Sequence, residues 1–232
     1  MTCGTCDLSI IVPIYCEQES LPELYRRLKV VLAGLEDIST HEIIFINDGS
    51  TDGSAGLLRA MAGTDPYVKI LSFSRNFGHQ KAITAGLDYC TGRAAIVLDG
   101  DLQDPPEIIP DMLRRWRDGS EVVYAVRRQR NGEFFLRTAC IWLFYRILHF
   151  LTDINIPPDA GDFRLLDTRV IVALRDLREE NCYLRGLIAW LGFRQSSIEY
   201  NRPARFAGQS KYPWRRLMRL ALDHSPYITS TD

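Results

Sequence analysis

The chain has 232 residues, 46% hydrophobic and 25% charged, ordinary globular usage that excludes disordered, collagenous and low-complexity classes. Its length suits one large α/β domain, or one domain with a short appendage. With 28 basic and 29 acidic residues the net charge is −1, which argues against a general nucleic-acid binder.

In chain order, residues 8–13 form a short apolar run ending at Pro13 and read as a buried parallel strand. Ser20-Leu-Pro-Glu23 reads as a capping box, with Pro22 in the first turn of the helix. Leu21, Leu24, Tyr25, Leu28, Val31, Leu32 and Leu35 continue it at helical spacing. Residues 42–46 predict a second strand, closed by the turn Asn47-Asp48-Gly49-Ser50, with Asp52 placed to open another helix. A third strand is expected at 68–73, a helix at 78–90 and a fourth strand at 94–98. Pro105 and Pro106 start a helix to about Asp118, and 122–126 is a fifth strand. This alternation predicts an α/β fold with a mostly parallel sheet covered on both faces.

After residue 130 the pattern changes. Residues 134–151 predict a helix apolar nearly all round, broken by Arg137, Arg146 and His149. A polar loop with Pro157 and Pro158 leads to Ala160-Gly161-Asp162-Phe163-Arg164. Two helical stretches and a strand over 193–200 follow. Residues 202–219 carry six basic residues and no acid.

Cysteines at 3, 6, 16, 90, 140 and 182 are too scattered for a disulfide framework. Cys3 and Cys6 form a CxxC with no partner pair at zinc spacing, so a reduced N-terminus is the better reading than a metal or redox site. No basic residue precedes the first apolar run, which argues against a signal peptide. No uncharged apolar stretch reaches 18 residues, so no transmembrane helix is expected, and the cytosol is the default compartment.

Ligands of parallel sheets bind beyond the carboxyl ends of the strands. Polar residues cluster at those ends: Tyr15 and Glu17, Asp48, Arg75, Asp99 and Asp101, and Arg127. Asp99 and Asp101, two residues apart, can reach one hard cation through oxygen. Gly100 between them would let a ligand approach the backbone, and Gln103 adds a neutral oxygen. Such a cation would complete its shell with phosphate and water; an acidic turn ahead of the helix at Pro105 is the alternative. Asp48 could accept from a nucleobase N–H or only stabilise its turn. Arg127, Arg137, Arg164 and Lys211 are candidate phosphate partners. There is no GxGxxG after the first strand, no GxxxxGK[ST] and no GxSxG, which disfavours a dinucleotide dehydrogenase, a P-loop NTPase and an α/β hydrolase.

Pro13-Ile-Tyr15-Cys16-Glu17, Asn47-Asp48-Gly-Ser50, Gly78-His-Gln80, Asp99-Gly-Asp101-Leu-Gln103-Asp-Pro-Pro106, Gly161-Asp-Phe-Arg164 and Gly208-Gln-Ser-Lys211-Tyr together resemble the family 2 glycosyltransferases. The likeness is to the polyprenyl-phosphate type, dolichol-phosphate mannosyltransferases and bacterial undecaprenyl-phosphate glucosyltransferases, and runs from about residue 8 to 223. It implies a Rossmann-like GT-A fold, a nucleotide-sugar donor, and Mg²⁺ or Mn²⁺. Carried over, Pro13, Tyr15, Glu17 and Asp48 would hold the nucleoside. Asp99, with Gly100 beside it, would lie near the ribose and metal, and Asp101 and Gln103 would ligate the metal. Arg127 and Lys211 match basic donor-site positions, Arg137 an acceptor-phosphate arginine, and Asp162 and Arg164 a motif facing the sugar and phosphates. Cys16 and Asn47 depart from the family's usual residues and bear on base selectivity.

Members of this type usually continue into two transmembrane helices. Residues 1–200 are therefore read as the catalytic domain, and 201–232 as a basic segment with an acceptor loop and juxtamembrane helix. The expected reaction is inverting transfer of a hexose, UDP-glucose first and GDP-mannose next, to a polyprenyl phosphate at the cytoplasmic face of a membrane. A non-lipid acceptor and a non-catalytic nucleotide-sugar-binding remnant are the alternatives. A phosphate monoester is mostly dianionic at neutral pH, so Asp162 is expected to position groups rather than act as an obligatory base. Residues 134–151 and 202–219 are expected either to meet the lipid surface or to form a buried helix or oligomer contact and a solvated basic face. A homo-oligomer is possible on the same resemblance.

Overall fold

A computed structural model describes residues 6–127, 160–177 and 184–201. The elements are β1 (Cys6–Ile14), α1 (Leu21–Ala33), β2 (His41–Asn47), α2 (Ser54–Thr64), β3 (Val68–Ser72), α3 (His79–Tyr89) and β4 (Gly92–Val97). A 3₁₀ turn (Pro106–Ile108) runs into α4 (Ile109–Arg117), followed by β5 (Val122–Arg127), β6 (Ala160–Asp167), α5 (Thr168–Asp176), α6 (Leu184–Trp190) and β7 (Gln195–Tyr200).

The strands form one sheet in the order β3-β2-β1-β4-β6-β5-β7. All neighbouring pairs are parallel except those made by β6, which runs antiparallel between β4 and β5. The apolar runs explain the central strands. Along β1, Leu8, Ile10, Val12 and Ile14 join one core with Leu24 and Leu28 of α1 and Met112 and Leu113 of α4. Ile11 faces the other way, into a second core with Ala82, Ile83 and Leu87 of α3, Val170 and Ile171 of α5 and Ile188 of α6. The period-2 alternation thus feeds two helical layers, one on each face.

The structure differs from the sequence reading at two points here. Ser20 precedes α1 but makes no side-chain cap. Its hydroxyl donates instead to the Gly100 carbonyl at 2.8 Å and to the Glu17 carboxylate at 3.0 Å, so this serine joins two loops rather than closing a capping box. Second, the Gly161–Arg164 motif, to which the sequence assigned no element, lies in strand β6. Its Gly and charged residues hide a strand pattern, and β6 owes its place to pairing with β4 and β5.

Among the described residues no helix is long and apolar enough to cross a membrane, and Cys6, Cys16 and Cys90 are thiols rather than disulfides. The expectations for 134–151 and 202–219, and those for Arg137 and Lys211, lie outside the described residues.

Candidate functional site

The carboxyl ends of β1, β2, β3, β4 and β5 converge on one edge, and the antiparallel β6 delivers its amino end there. The register places Arg164 opposite Val97 and Tyr124, which carries Asp162 beyond the end of β4 toward Asp99.

The loops after β1 and β2 are stitched together. The Cys16 N–H donates to Ser50 Oγ and the Glu17 N–H to Ser54 Oγ, both at 3.0 Å. Cys16 adopts φ 53°, a conformation costly for a side chain larger than Gly or Asn. Gly49, at φ 67°, sits so close to Arg75 that an added Cβ would lie 2.3 Å from its carbonyl carbon. Asp48 is buried, and its carboxylate accepts from the Phe77 N–H at 2.7 Å and the Gly78 N–H at 3.0 Å. Of the two roles open to it, the visible one is fixing the loop before α3. The Arg75 guanidinium stacks on the exposed Phe77 ring at 4.2 Å. Tyr15 and Glu17 are half-buried at the same edge, whereas Pro13 is buried inside β1.

The acidic loop after β4 is held from several sides. A Cβ on Gly100 would lie 2.6 Å from Ile14 Cδ1 and 3.3 Å from the Pro13 carbonyl. The glycine is thus required by packing against β1. Asp101 is buried, and its Oδ1 accepts from the Gln103 N–H at 3.0 Å. Leu102, also buried, takes φ 62°, a strained turn of the kind found where structure over-determines a functional loop. Asp104 is 2% exposed; its carboxylate accepts from the Asp99 N–H at 3.3 Å and from the Tyr200 hydroxyl at 2.9 Å. Burial and the neighbouring Asp104 charge push Asp99 up to about 7, with the His79 charge opposing. Its buried Oδ1 has no hydrogen-bond donor, His79 Nε2 lying 3.4 Å away but off-line. A divalent cation fits this surplus of carboxylate. Among the described residues no three His, Cys, Asp or Glu side chains converge to hold a metal alone, so phosphate and water oxygens would supply the remaining ligands.

Asp162 is the most heavily bonded carboxylate of the edge. Arg185 of α6 donates to it through Nε and Nη2, each at 2.9 Å. His79 Nε2 lies at 3.3 Å, Gln80 Nε2 donates at 3.3 Å, and Arg164 Nη2 is 3.8 Å away. Burial alone would raise its pKa; hydrogen bonds from His79 and Arg185 overcome this and hold the carboxyl well below the usual range. His79 is driven the other way: burial lowers its pKa, but Asp162 and Asp99 outweigh this and leave it raised. Arg164, 6% exposed, donates to the Gly161 carbonyl at 2.7 Å. Arg127 lies beside Gly161 and donates to the Tyr200 hydroxyl at 3.4 Å.

The expected residues Tyr15, Glu17, Asp48, Asp99, Gly100, Asp101, Gln103, Arg127, Asp162 and Arg164 therefore share one edge. Sequence reasoning missed Asp104, His79, Gln80, Arg185 and Tyr200. His79 and Gln80 stood in a quoted motif without a role, and Asp104 stood one residue beyond the expected metal ligands. Arg185 and Tyr200 carried no local signal.

The family described as "Glycosyl transferase family 2" matches residues 9–174. The chain belongs to this family. It is 49% identical over 215 residues to an uncharacterized glycosyltransferase, YkcC, of Bacillus subtilis, covering 93% of this chain and 66% of the relative. It is 36% identical over 218 residues to a prophage bactoprenol glucosyl transferase homolog of Escherichia coli, covering 93% and 70%. The chain thus spans about two thirds of the length of these relatives. Among solved structures, it resembles glucosyl-3-phosphoglycerate synthase from Mycobacterium tuberculosis in complex with Mn²⁺, uridine-diphosphate and phosphoglyceric acid. The TM-score is 0.60 at 16% identity, covering 94% of this chain and 75% of that one. It also resembles a mannosyltransferase from Pyrobaculum calidifontis in complex with GDP-Man and Mn²⁺, with TM-score 0.57, 18% identity and coverage of 88% and 61%. These structural likenesses agree with the GT-A α/β fold expected from the motifs.

Proposed function

We propose that this chain carries the donor and transfer site of a hexosyltransferase that moves a sugar, with inversion, from a nucleotide-sugar to a polyprenyl phosphate. The observation that carries the acceptor reading is the state of Asp162. A general base needs a basic oxygen facing the acceptor. Asp162 has two 2.9 Å bonds from Arg185 and further contacts from His79 and Gln80, and its carboxyl is held strongly acidic. Such a group orients neighbours but is a poor proton acceptor. An acceptor that arrives already ionised, as a phosphate monoester does with a second pKa of roughly 6, needs no base. It needs cations and alignment behind the anomeric carbon. The bactoprenol glucosyl transferase names among the relatives support a polyprenyl acceptor.

Asp99 and Asp101, with Gln103, would hold a divalent cation, Mg²⁺ or Mn²⁺, whose charge stabilises the departing nucleoside diphosphate. Asp48 fixes the loop before α3, and with Tyr15 and Glu17 of the adjoining β1 loop it would border the nucleoside. Arg127 and Arg164 supply fixed positive charge where phosphate charge develops. By resemblance, Lys211 would join the donor diphosphate and Arg137 the acceptor phosphate. UDP-glucose is the first donor to test and GDP-mannose the second.

The test is incubation of the protein with UDP-glucose or GDP-mannose, Mn²⁺ and undecaprenyl phosphate in detergent, with glycolipid separated from free sugar. Transfer that is lost in Asp101→Ala is expected. Asp162→Asn should reduce turnover only severalfold; a loss above ~10³-fold, the upper range of general acid–base groups, would refute the positioning role. Transfer to a soluble alcohol but not to the lipid phosphate would overturn the acceptor assignment.

A further inference from the structure

Tyr200 closes β7, the edge strand on the far side of β5, and is distant in sequence from the acidic loop after β4. Even so, its hydroxyl donates to Asp104 Oδ1 at 2.9 Å, and the same Asp104 carboxylate accepts the Asp99 N–H at 3.3 Å. Tyr200 and Asp104 are 5% and 2% exposed, so water is a weak competitor for either bond. Arg127, paired with Tyr200 in the β5–β7 register, donates to the same hydroxyl at 3.4 Å. The Tyr200 ring packs edge-on against Phe163 at 5.9 Å, between the two β6 residues, Asp162 and Arg164, that face the site.

The loop ahead of Asp104 has other ties. Ser20 holds the Gly100 carbonyl, and Asp101 holds the Gln103 N–H. Leu102 is nevertheless in a left-handed conformation, which a loop adopts only when its flanks are fixed. Ser20 fixes the front of the loop, and the tyrosine–carboxylate bond fixes its rear. Among the described residues no other side chain hydrogen-bonds the Asp104 carboxylate.

We infer that Tyr200 and Asp104 are positioning residues that hold the Asp99–Gln103 loop in its cation-binding shape, so that affinity for a nucleoside diphosphate with its divalent cation depends on the end of β7. The inference rests on the donor-site reading above and extends it to residues that touch neither donor nor cation. Mechanically, the bond ties the strand leading into residues 201–232 to the carboxylates at the donor diphosphate. A shift at the end of β7 is felt at Asp99 through two hydrogen bonds.

Tyr200→Phe removes one hydroxyl and keeps the ring on Phe163. Asp104→Asn keeps an acceptor but not the charge. The measurement is Mn²⁺ binding in the presence of UDP or GDP, by electron paramagnetic resonance of free Mn²⁺ and by calorimetry, with unfolding temperature recorded for each protein. Groups that orient metal ligands from behind typically change metal affinity about 10- to 100-fold. Tyr200→Phe is therefore expected to weaken Mn²⁺ binding about tenfold in the nucleotide complex. Tyr89→Phe, on an exposed α3 tyrosine, should leave it unchanged. A Tyr200→Phe protein with a lowered unfolding temperature and wild-type Mn²⁺ affinity would overturn the inference, because that is the outcome of a merely structural contact. So would equal weakening in Tyr89→Phe. Wild-type protein that binds neither nucleotide with Mn²⁺ would overturn the donor-site reading itself, and this inference with it; wild-type binding with an unaffected variant overturns this inference alone.

Discussion

Arg185→Met tests whether Asp162 is an anchored ion rather than a base. The substitution keeps the volume of the stem and removes two hydrogen bonds of 2.9 Å. Hydrogen bonds to charged groups contribute about 1.5–3 kcal/mol each. The Arg185 side chain is 35% exposed, so water recovers part of this. His79, Gln80 and Arg164 remain close to the carboxylate. We expect a loss of about 2 kcal/mol at pH 7, below the 3–5 kcal/mol seen when a fully buried pair is broken. The pH dependence gives the sign. The folded carboxyl of Asp162 lies below its unfolded value, so its stabilisation is complete above the unfolded pKa of about 3.9 and is lost as pH falls toward the folded one. Wild type and variant should therefore converge by up to roughly 0.7 kcal/mol between pH 7 and about 3.5. Urea denaturation at several pH values reads both quantities. A loss under ~0.5 kcal/mol at pH 7, or a gap that widens on acidification, would refute the reasoning.

Other consequences can be checked separately. Gly86→Ala should cost about 1–3 kcal/mol, read as a lower unfolding temperature, because its Cβ would lie 2.3 Å from Ile11 Cγ2 and 2.9 Å from Ile46 Cδ1. Asp48→Asn turns one acceptor of the Phe77 and Gly78 N–H groups into a donor. It should cost about 1–3 kcal/mol and weaken UDP binding by calorimetry; unchanged affinity would remove Asp48 from the nucleoside side of the site. Glu42 is buried and bonded by Ser9, Thr91 and Lys69. Burial raises its pKa, but these partners, Lys69 foremost, leave it below the ordinary value. Lys69→Met should therefore destabilise by about 1 kcal/mol at pH 7, less below about pH 4.5 as the carboxyl protonates, measured by urea denaturation.

The parts of the fold legible in the sequence are those governed by local rules. Ile10 to Val12, Ile43 to Ile46 and Ala94 to Val97 are apolar runs that lie in buried parallel strands, and the polar residues at their ends reach one edge because a parallel sheet puts them there. β6 was not legible. Ala-Gly-Asp-Phe-Arg breaks the apolar pattern, and the strand exists because two neighbours supply its hydrogen bonds. The site divides in the same way. Asp99 and Asp101 announce themselves by spacing. Arg185 and Tyr200 matter through partners 23 and 96 residues away, a relation that no local pattern contains. Ser20 shows the converse: its local pattern is that of a cap, but a carbonyl 80 residues away takes the hydroxyl.

The reversed direction of β6 has an architectural consequence. β5 ends at Arg127 and β6 begins at Ala160, with Val126 opposite Ala160 in the ladder. The end of β5 and the start of β6 therefore lie at the same rim, beside Asp162 and Arg127. The two described ends that bracket residues 128–159 are thus already neighbours. Closing a longer loop between fixed anchors costs only about 0.6 kcal/mol per doubling of its length. Because the register of β5 and β6 is set by their own ladder, grafting residues 128–159 between family members is a direct route to ask how much of acceptor choice travels with them.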